Sequence, residues 1–289
     1  MTQIKLKHLN TYFHVAIIAI LIVVMYYPII IDLVDQWLND SNYSHGLLIP
    51  LIAGYFIWQK RDQLKKINVH KSNIGLIVLL GGLVINIAGT AAAEFFTVRL
   101  SLIIVIIGIL IYFYGLELFK TIWFPLLFLF FMVPLPYVIY YAITFPMQLL
   151  STKLSAAVLQ FTGFSILRQG NIIHLPNYSL EVVEACSGLR SLMTLTALGA
   201  ALAYLTQKNI FTGVGLFLLS IPIAIIANVI RIIITAIGAY LISPKFADGF
   251  LHEASGLVVF MVGFISLGIA GLILRRLTER RGMEGAIDA

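Results

Sequence analysis

Residues 210–229 read IFTGVGLFLLSIPIAIIANV, an unbroken apolar stretch without a charged side chain, and the next two residues are Ile230 and Arg231. As a helix rising 1.5 Å per residue, such a run covers about 30 Å, the thickness of bilayer hydrocarbon. The rest of the chain repeats the pattern. Of its 289 residues, 60% are apolar and only 11% charged, and the mean hydropathy is +0.99. Soluble domains carry about a quarter charged residues. Composition therefore excludes an ordinary soluble enzyme, and residues 1–289 are expected to form a single integral membrane domain.

Working outward from that run, the charges give a topology. The first apolar run, about Phe13 to Ile31, follows Lys5, Lys7 and His8 and precedes Asp32, Asp35 and Asp40. Positive charge collects on the cytoplasmic side, so the N-terminus is expected inside. With no small-residue cleavage site after it, this run is expected to remain as the first span. A run from about His45 to Trp58 ends in the basic loop Lys60, Arg61, Lys65, Lys66 and Lys71. Further runs cover about Ile74 to Ala93, Leu100 to Tyr114 and Thr121 to Val133, the last stopping at Pro134 and Pro136. Counted from the other end, Arg275, Arg276, Arg280 and Arg281 hold the C-terminus inside. The spans Gly256 to Leu274, Ile210 to Val229 and Leu189 to Leu205 then alternate about an inner turn at Lys208. Both counts place 134–188 on the outer face.

By parity, Tyr137 to Gly163 crosses zero times or twice. Its Pro146, Gln148, Lys153 and Gln160 suggest an amphipathic helix or re-entrant hairpin at the outer interface. Ile232 to Ile242 reads as a short outer or interfacial helix. The expected fold is all-α, a polytopic bundle of about eight spans with outer interfacial or re-entrant helices and both termini cytoplasmic. The formal charge of +6 sits in short loops, which points to topology rather than to nucleic acid.

Against this apolar background four polar clusters stand out, because an ionisable group in or near lipid costs a few kcal/mol without a partner or water. Cys186, the single cysteine, lies in Glu184-Ala-Cys-Ser-Gly-Leu-Arg-Ser191 at the outer mouth of a span. A helix N-terminus and Arg190 would lower its pKa and make it a nucleophile; packed as a small hydrophobe beside a Glu184–Arg190 surface pair, it would be inert. Asn228 and Arg231 end the long run. Arg231 reads either as a snorkelling side chain or as a fixed charge for an oxyanion or carboxylate. His252 and Glu253 precede the last span; the pattern falls short of a zinc-protease motif, since Gly256 stands where the second histidine would. A histidine there is a helix-end residue or a general base for a thiol. Asn42-Tyr-Ser-His45 opens the second span, as cap or as substrate contact. All four clusters fall on one face of the derived topology.

Together these stretches resemble the exosortase and archaeosortase family of membrane-embedded cysteine transpeptidases. The likeness rests on Glu184-Ala-Cys-Ser-Gly-Leu-Arg-Ser191, Asn228-Val-Ile-Arg231, His252-Glu-Ala-Ser-Gly256 and Tyr43-Ser-His-Gly46, in that family's order and spacing. It implies a catalytic set of Cys186, Arg231 and His252, with Glu184, Arg190, Asn228, His45 and Glu253 in substrate-binding or supporting roles. The histidine leans toward the bacterial branch. The resemblance also implies partners: exported, membrane-anchored proteins with a C-terminal sorting signal made of a short motif such as Pro-Glu-Pro, a transmembrane helix and a basic tail. It implies no cofactor or metal and a site on the outer face of the plasma membrane. The rival classes are a polytopic transporter, or a subunit without chemistry in a polymer-export system. A transporter would place its polar groups at the midplane, in repeated halves, and no repeat is visible here.

Overall fold

The computed structural model describes residues 2–176, 178–182, 188–243 and 250–287, and the chain divides into two compact units, Met1–Pro134 and Leu135–Ala289.

The first unit opens with α1 (Thr2–Asn39). A 3-10 turn at Ser44–Leu47 leads into α2 (Leu48–Gln59) and the short α3 (Arg61–Leu64). Next come α4 (Asn73–Ala91), α5 (Phe95–Tyr114) and α6 (Leu116–Phe128), and a second 3-10 turn closes the unit at Leu129–Met132. Helices α4 and α5 pack backbone to backbone: a Cβ on Gly75 would stand 2.1 Å from the Tyr112 nitrogen, and one on Gly108 2.5 Å from that of Leu79. Close approach through small residues gives apolar helices dispersion contacts that lipid cannot match. Glu94 caps α5 by accepting the Thr97 and Phe96 amides at 2.6 and 3.3 Å. Several polar side chains inside this unit pair with one another. The Tyr26 hydroxyl meets Ser101 Oγ at 2.8 Å, Asn86 donates to that oxygen, and Arg99 holds Asp32 at 2.6 Å.

Helices α2 and α6, the expected spans His45–Trp58 and Thr121–Val133, are only 12 and 13 residues long. They lie antiparallel, locked by the rings of Phe56, Phe124 and Phe128. Each falls short of the length that crosses hydrocarbon as regular helix. Among the described residues seven helices are long and apolar enough to cross, in α1, α4, α5 and four elements of the second unit.

The second unit comprises α7 (Tyr137–Phe161), the strands β1 (Leu167–Gln169), β2 (Ile172–Leu175) and β3 (Tyr178–Glu181), then α8 (Leu189–Thr206), α9 (Ile210–Leu241) and α10 (Phe250–Ile287). Two expectations are corrected here. The stretch from Tyr137 is not a re-entrant hairpin. It is one continuous 25-residue helix, itself among the seven. It runs in the same direction as α9: Asn228 donates to Ser151 Oγ at 3.2 Å, and Ser155 donates to the Val229 carbonyl at 3.3 Å. Of the polar residues that suggested an interface, Gln148 is buried with Ser151, Thr152 and Ser155 in one helical stripe that faces protein, whereas Lys153 and Gln160 are exposed. Likewise Ile232–Ile242 is no separate helix, because α9 continues without a break to Leu241.

Helices α8 and α10 both run antiparallel to α9. Gly199 abuts Ser220, Gly271 abuts Leu216, and Ala203, Leu216 and Leu267 form a buried core at that level. Beyond Arg231, the last turns of α9 leave the bundle and pack on the antiparallel sheet β1-β2-β3 through Ile232, Ala236, Ala239, Ile173, Leu175, Leu180 and Val182. An open sheet with unpaired edge amides cannot stand in hydrocarbon. The end of α9 therefore lies outside it. Ile210 to Arg231 spans roughly 33 Å, close to the thickness of bilayer hydrocarbon.

Candidate functional site

Arg231 is the centre from which the site builds. Its side chain is only 8% exposed, and a guanidinium stays charged at any ordinary pH. Backbone makes the room for it. A Cβ added to Gly256, on the second turn of α10, would lie 3.3 Å from both Cζ and Nη2 of Arg231. The residue standing where a zinc-protease motif would have its second histidine is thus the floor under the guanidinium.

One turn earlier on α9, Asn228 is fully buried. It is tied to α7 by its bond to Ser151 and covered by Gly188. That glycine caps α8 with φ +83°, in the left-handed region, and a Cβ there would stand 2.7 Å from Asn228 Cγ. A side chain is excluded twice, by backbone conformation and by contact. The Gly of the cysteine-bearing motif thus meets the Asn of the second motif, and the Gly of the histidine-bearing motif meets its Arg. Three of the four sequence clusters converge on one turn and a half of α9.

Cys186 and Glu184 lie outside the described residues, as do the side chains of His252 and Glu253. Their described neighbours are nonetheless close to Arg231. Val182 lines a small cleft with Leu180, Glu181, Arg231, Ile232 and Thr235, while Gly188 sits on Asn228. In the sequence Cys186 precedes Gly188 by two residues. His252 belongs to the first turn of α10, four residues before Gly256. Arg190 is exposed on the first turn of α8, its carbonyl accepting the Thr194 hydroxyl at 2.8 Å.

His45 belongs to the first unit. It lies buried in the 3-10 turn before α2, and neither ring nitrogen has a hydrogen-bond partner among the described residues. The backbones of Phe131 and Asn42 approach the ring without completing one. Its neighbour Gly46 lies under the Trp37 indole, whose Nε1 donates to the Met132 carbonyl at 2.9 Å.

Sequence reasoning missed Thr235 and Ser151. Thr235 follows Arg231 by one turn, is 3% exposed, and its hydroxyl has no partner among the described residues. The signal was present: Asn228, Arg231 and Thr235 stand at i, i+3 and i+7 in an otherwise apolar stretch, one face of a helix. Ser151 lies in a stripe at the same spacing. Among the described residues no group of three His, Cys, Asp or Glu side chains could hold a metal.

Comparison with protein families matches residues 37–269 to the transmembrane exosortase family. The match spans both compact units and all four sequence clusters. Neither curated proteins nor solved structures give a match.

Proposed function

The chain belongs to the transmembrane exosortase family, and on that premise we propose that it is a cysteine transpeptidase, or protease, that cuts C-terminal sorting signals from exported proteins at the outer face of the plasma membrane. The observation that carries the reading is the buried guanidinium of Arg231, flanked by the glycines of the cysteine and histidine motifs. A permanent positive charge held on backbone, with little water near it, suits an oxyanion that forms only in the transition state.

In the proposed reaction His252 takes the proton of Cys186, and the thiolate attacks the carbonyl carbon of the scissile peptide bond. Negative charge passes to the carbonyl oxygen, where Arg231 stabilises it. The C–N bond then breaks, the leaving amine takes the proton from His252, and a thioester remains on Cys186. An acceptor amine or water attacks that thioester and releases the thiolate. Orientation is supported by charge. Lys208 and Arg275 lie at the opposite end of α9 and α10 from Arg231, and basic ends face the cytoplasm.

The test is co-expression with a reporter ending in a Pro-Glu-Pro motif, an apolar span and a basic tail. Wild-type chain is expected to remove the reporter's C-terminus, and Cys186→Ala to leave it whole while still inserting. Equal cleavage by both would remove Cys186 from the mechanism. Arg231→Lys keeps the charge but loses the planar fork, and is expected to cut at least about a hundredfold more slowly. Wild-type rates from it would mean that Arg231 serves as a general field and not as an oriented donor.

A further inference from the structure

Strand β3 is the edge of its sheet: the order is β1-β2-β3, and among the described residues nothing pairs with its other side. The register fixes which backbone groups are free there. Ile173 opposes Leu180, and the Val182 amide donates to the Asn171 carbonyl at 2.9 Å, so Leu180 and Val182 turn their amides toward β2. Alternation then sends the N–H and C=O groups of Ser179 and Glu181 outward. Both residues are exposed. Along this strand runs the cleft in which Arg231 and Thr235 meet Leu180, Glu181 and Val182. Thr235, which lines it, is 97% buried, and its hydroxyl has no hydrogen-bond partner among the described residues. A buried hydroxyl left so costs stability, and a ligand able to bond it would recover that cost. Past Glu181 the chain leads in five residues to Cys186.

We propose that the substrate's sorting segment docks as an additional strand on the free edge of β3, bonding the outward groups of Ser179 and Glu181, with the Thr235 hydroxyl bonding a polar backbone group of that segment in the cleft beside Arg231. The occupant is an extended peptide, which is what an edge strand recognises through main-chain bonds. The cleft beside it has no room for a second helix. Docking there sets the segment beside Glu181, which precedes Cys186 by five residues in the sequence. The inference rests on the transpeptidase reading and adds how the substrate is held.

Two enzyme variants and one substrate series test it, with cleavage of the same reporter as readout. Thr235→Val keeps shape and removes the hydroxyl. It is expected to melt at the wild-type temperature or higher, yet to raise KM about fivefold to tenfold with kcat little changed. A hydroxyl with only a structural role would leave KM alone. Ser179→Pro deletes one outward N–H from an edge strand, where proline is tolerated, and is expected to raise KM, with Ser179→Thr at wild-type values. Single prolines placed through the reporter's motif-flanking residues, read with the wild-type enzyme, are expected to be tolerated and rejected in alternation, since only every second amide of an added strand faces β3. Wild-type KM in both variants, or a proline series without alternation, overturns the docking mode while cleavage stays dependent on Cys186. Cleavage that persists in Cys186→Ala overturns the transpeptidase reading instead, so the two failures are distinguishable.

Discussion

Gly188 and Gly256 border the same turn of α9 but tolerate change differently. Alanine at Gly188 would adopt a left-handed backbone and drive its Cβ to within 2.7 Å of buried Asn228, costing roughly 2 kcal/mol or more. Gly188→Ala is therefore expected to melt several degrees lower in detergent and to lose cleavage with stability. Alanine at Gly256 meets only the mobile end of Arg231, at 3.3 Å. That variant is expected to melt like the wild type, yet to cleave more slowly because the guanidinium is displaced by a few tenths of an ångström. Thermal melts paired with cleavage rates separate the two. Both glycines were legible in the sequence only as members of motifs. What they touch was not, because the contacts join residues far apart in the chain.

At the scale of elements, the apolar runs announced helices reliably, while their ends and crossings depended on packing. Gln148 and its neighbours on α7 carry the same polarity whether they face water or a protein partner, and only the partner, Asn228 on α9, distinguishes the two cases. The continuation of α9 past Arg231 was hidden for the opposite reason: a charge that reads as a stop sits where the helix passes from bilayer to sheet. The three short strands of that sheet gave no distinct signal. Helix starts can be tested through Glu94. Partial burial of its carboxyl raises its pKa, but the bonds from the Thr97 hydroxyl and amide and the Phe96 amide, together with the Arg99 charge, outweigh this and hold it below its ordinary value of 4.5. The stabilisation is therefore present above that ordinary value and is lost as pH falls through the depressed one. Glu94→Ala is expected to be less stable by about 1 kcal/mol at neutral pH, with the difference closing in acid. A gap that stayed constant with pH would mean that the carboxylate is not what stabilises the start of α5.

For the molecule as a whole, the all-α class and the family were legible from hydropathy and four short motifs, whereas the expected outer position of the site rests on charge alone. That orientation can be measured because Cys186 is the single cysteine. In intact cells a membrane-impermeant maleimide is expected to label wild-type chain. The double variant Cys186→Ala, Lys208→Cys, with its thiol at the exposed turn between α8 and α9, is expected to react only after the membrane is opened. The reverse pattern would invert the topology and put the site in the cytoplasm.

The stretch of α9 from Ile210 to Arg231 has a fixed length, whereas the bilayers that surround it do not: their hydrocarbon differs by several ångströms with acyl chain and headgroup. Thicker lipid would draw the guanidinium into oil at a cost of about 2.5–3.5 kcal/mol at full depth, and thinner lipid would lift it into the headgroups. The helix is a gauge rod with the reactive end as its mark. Reconstituted in phosphatidylcholines of increasing chain length, the protein is expected to turn over fastest where the hydrocarbon matches the rod and to slow on either side. A cell that remodels its lipids with temperature would thereby retune the rate of the reaction that Arg231 serves.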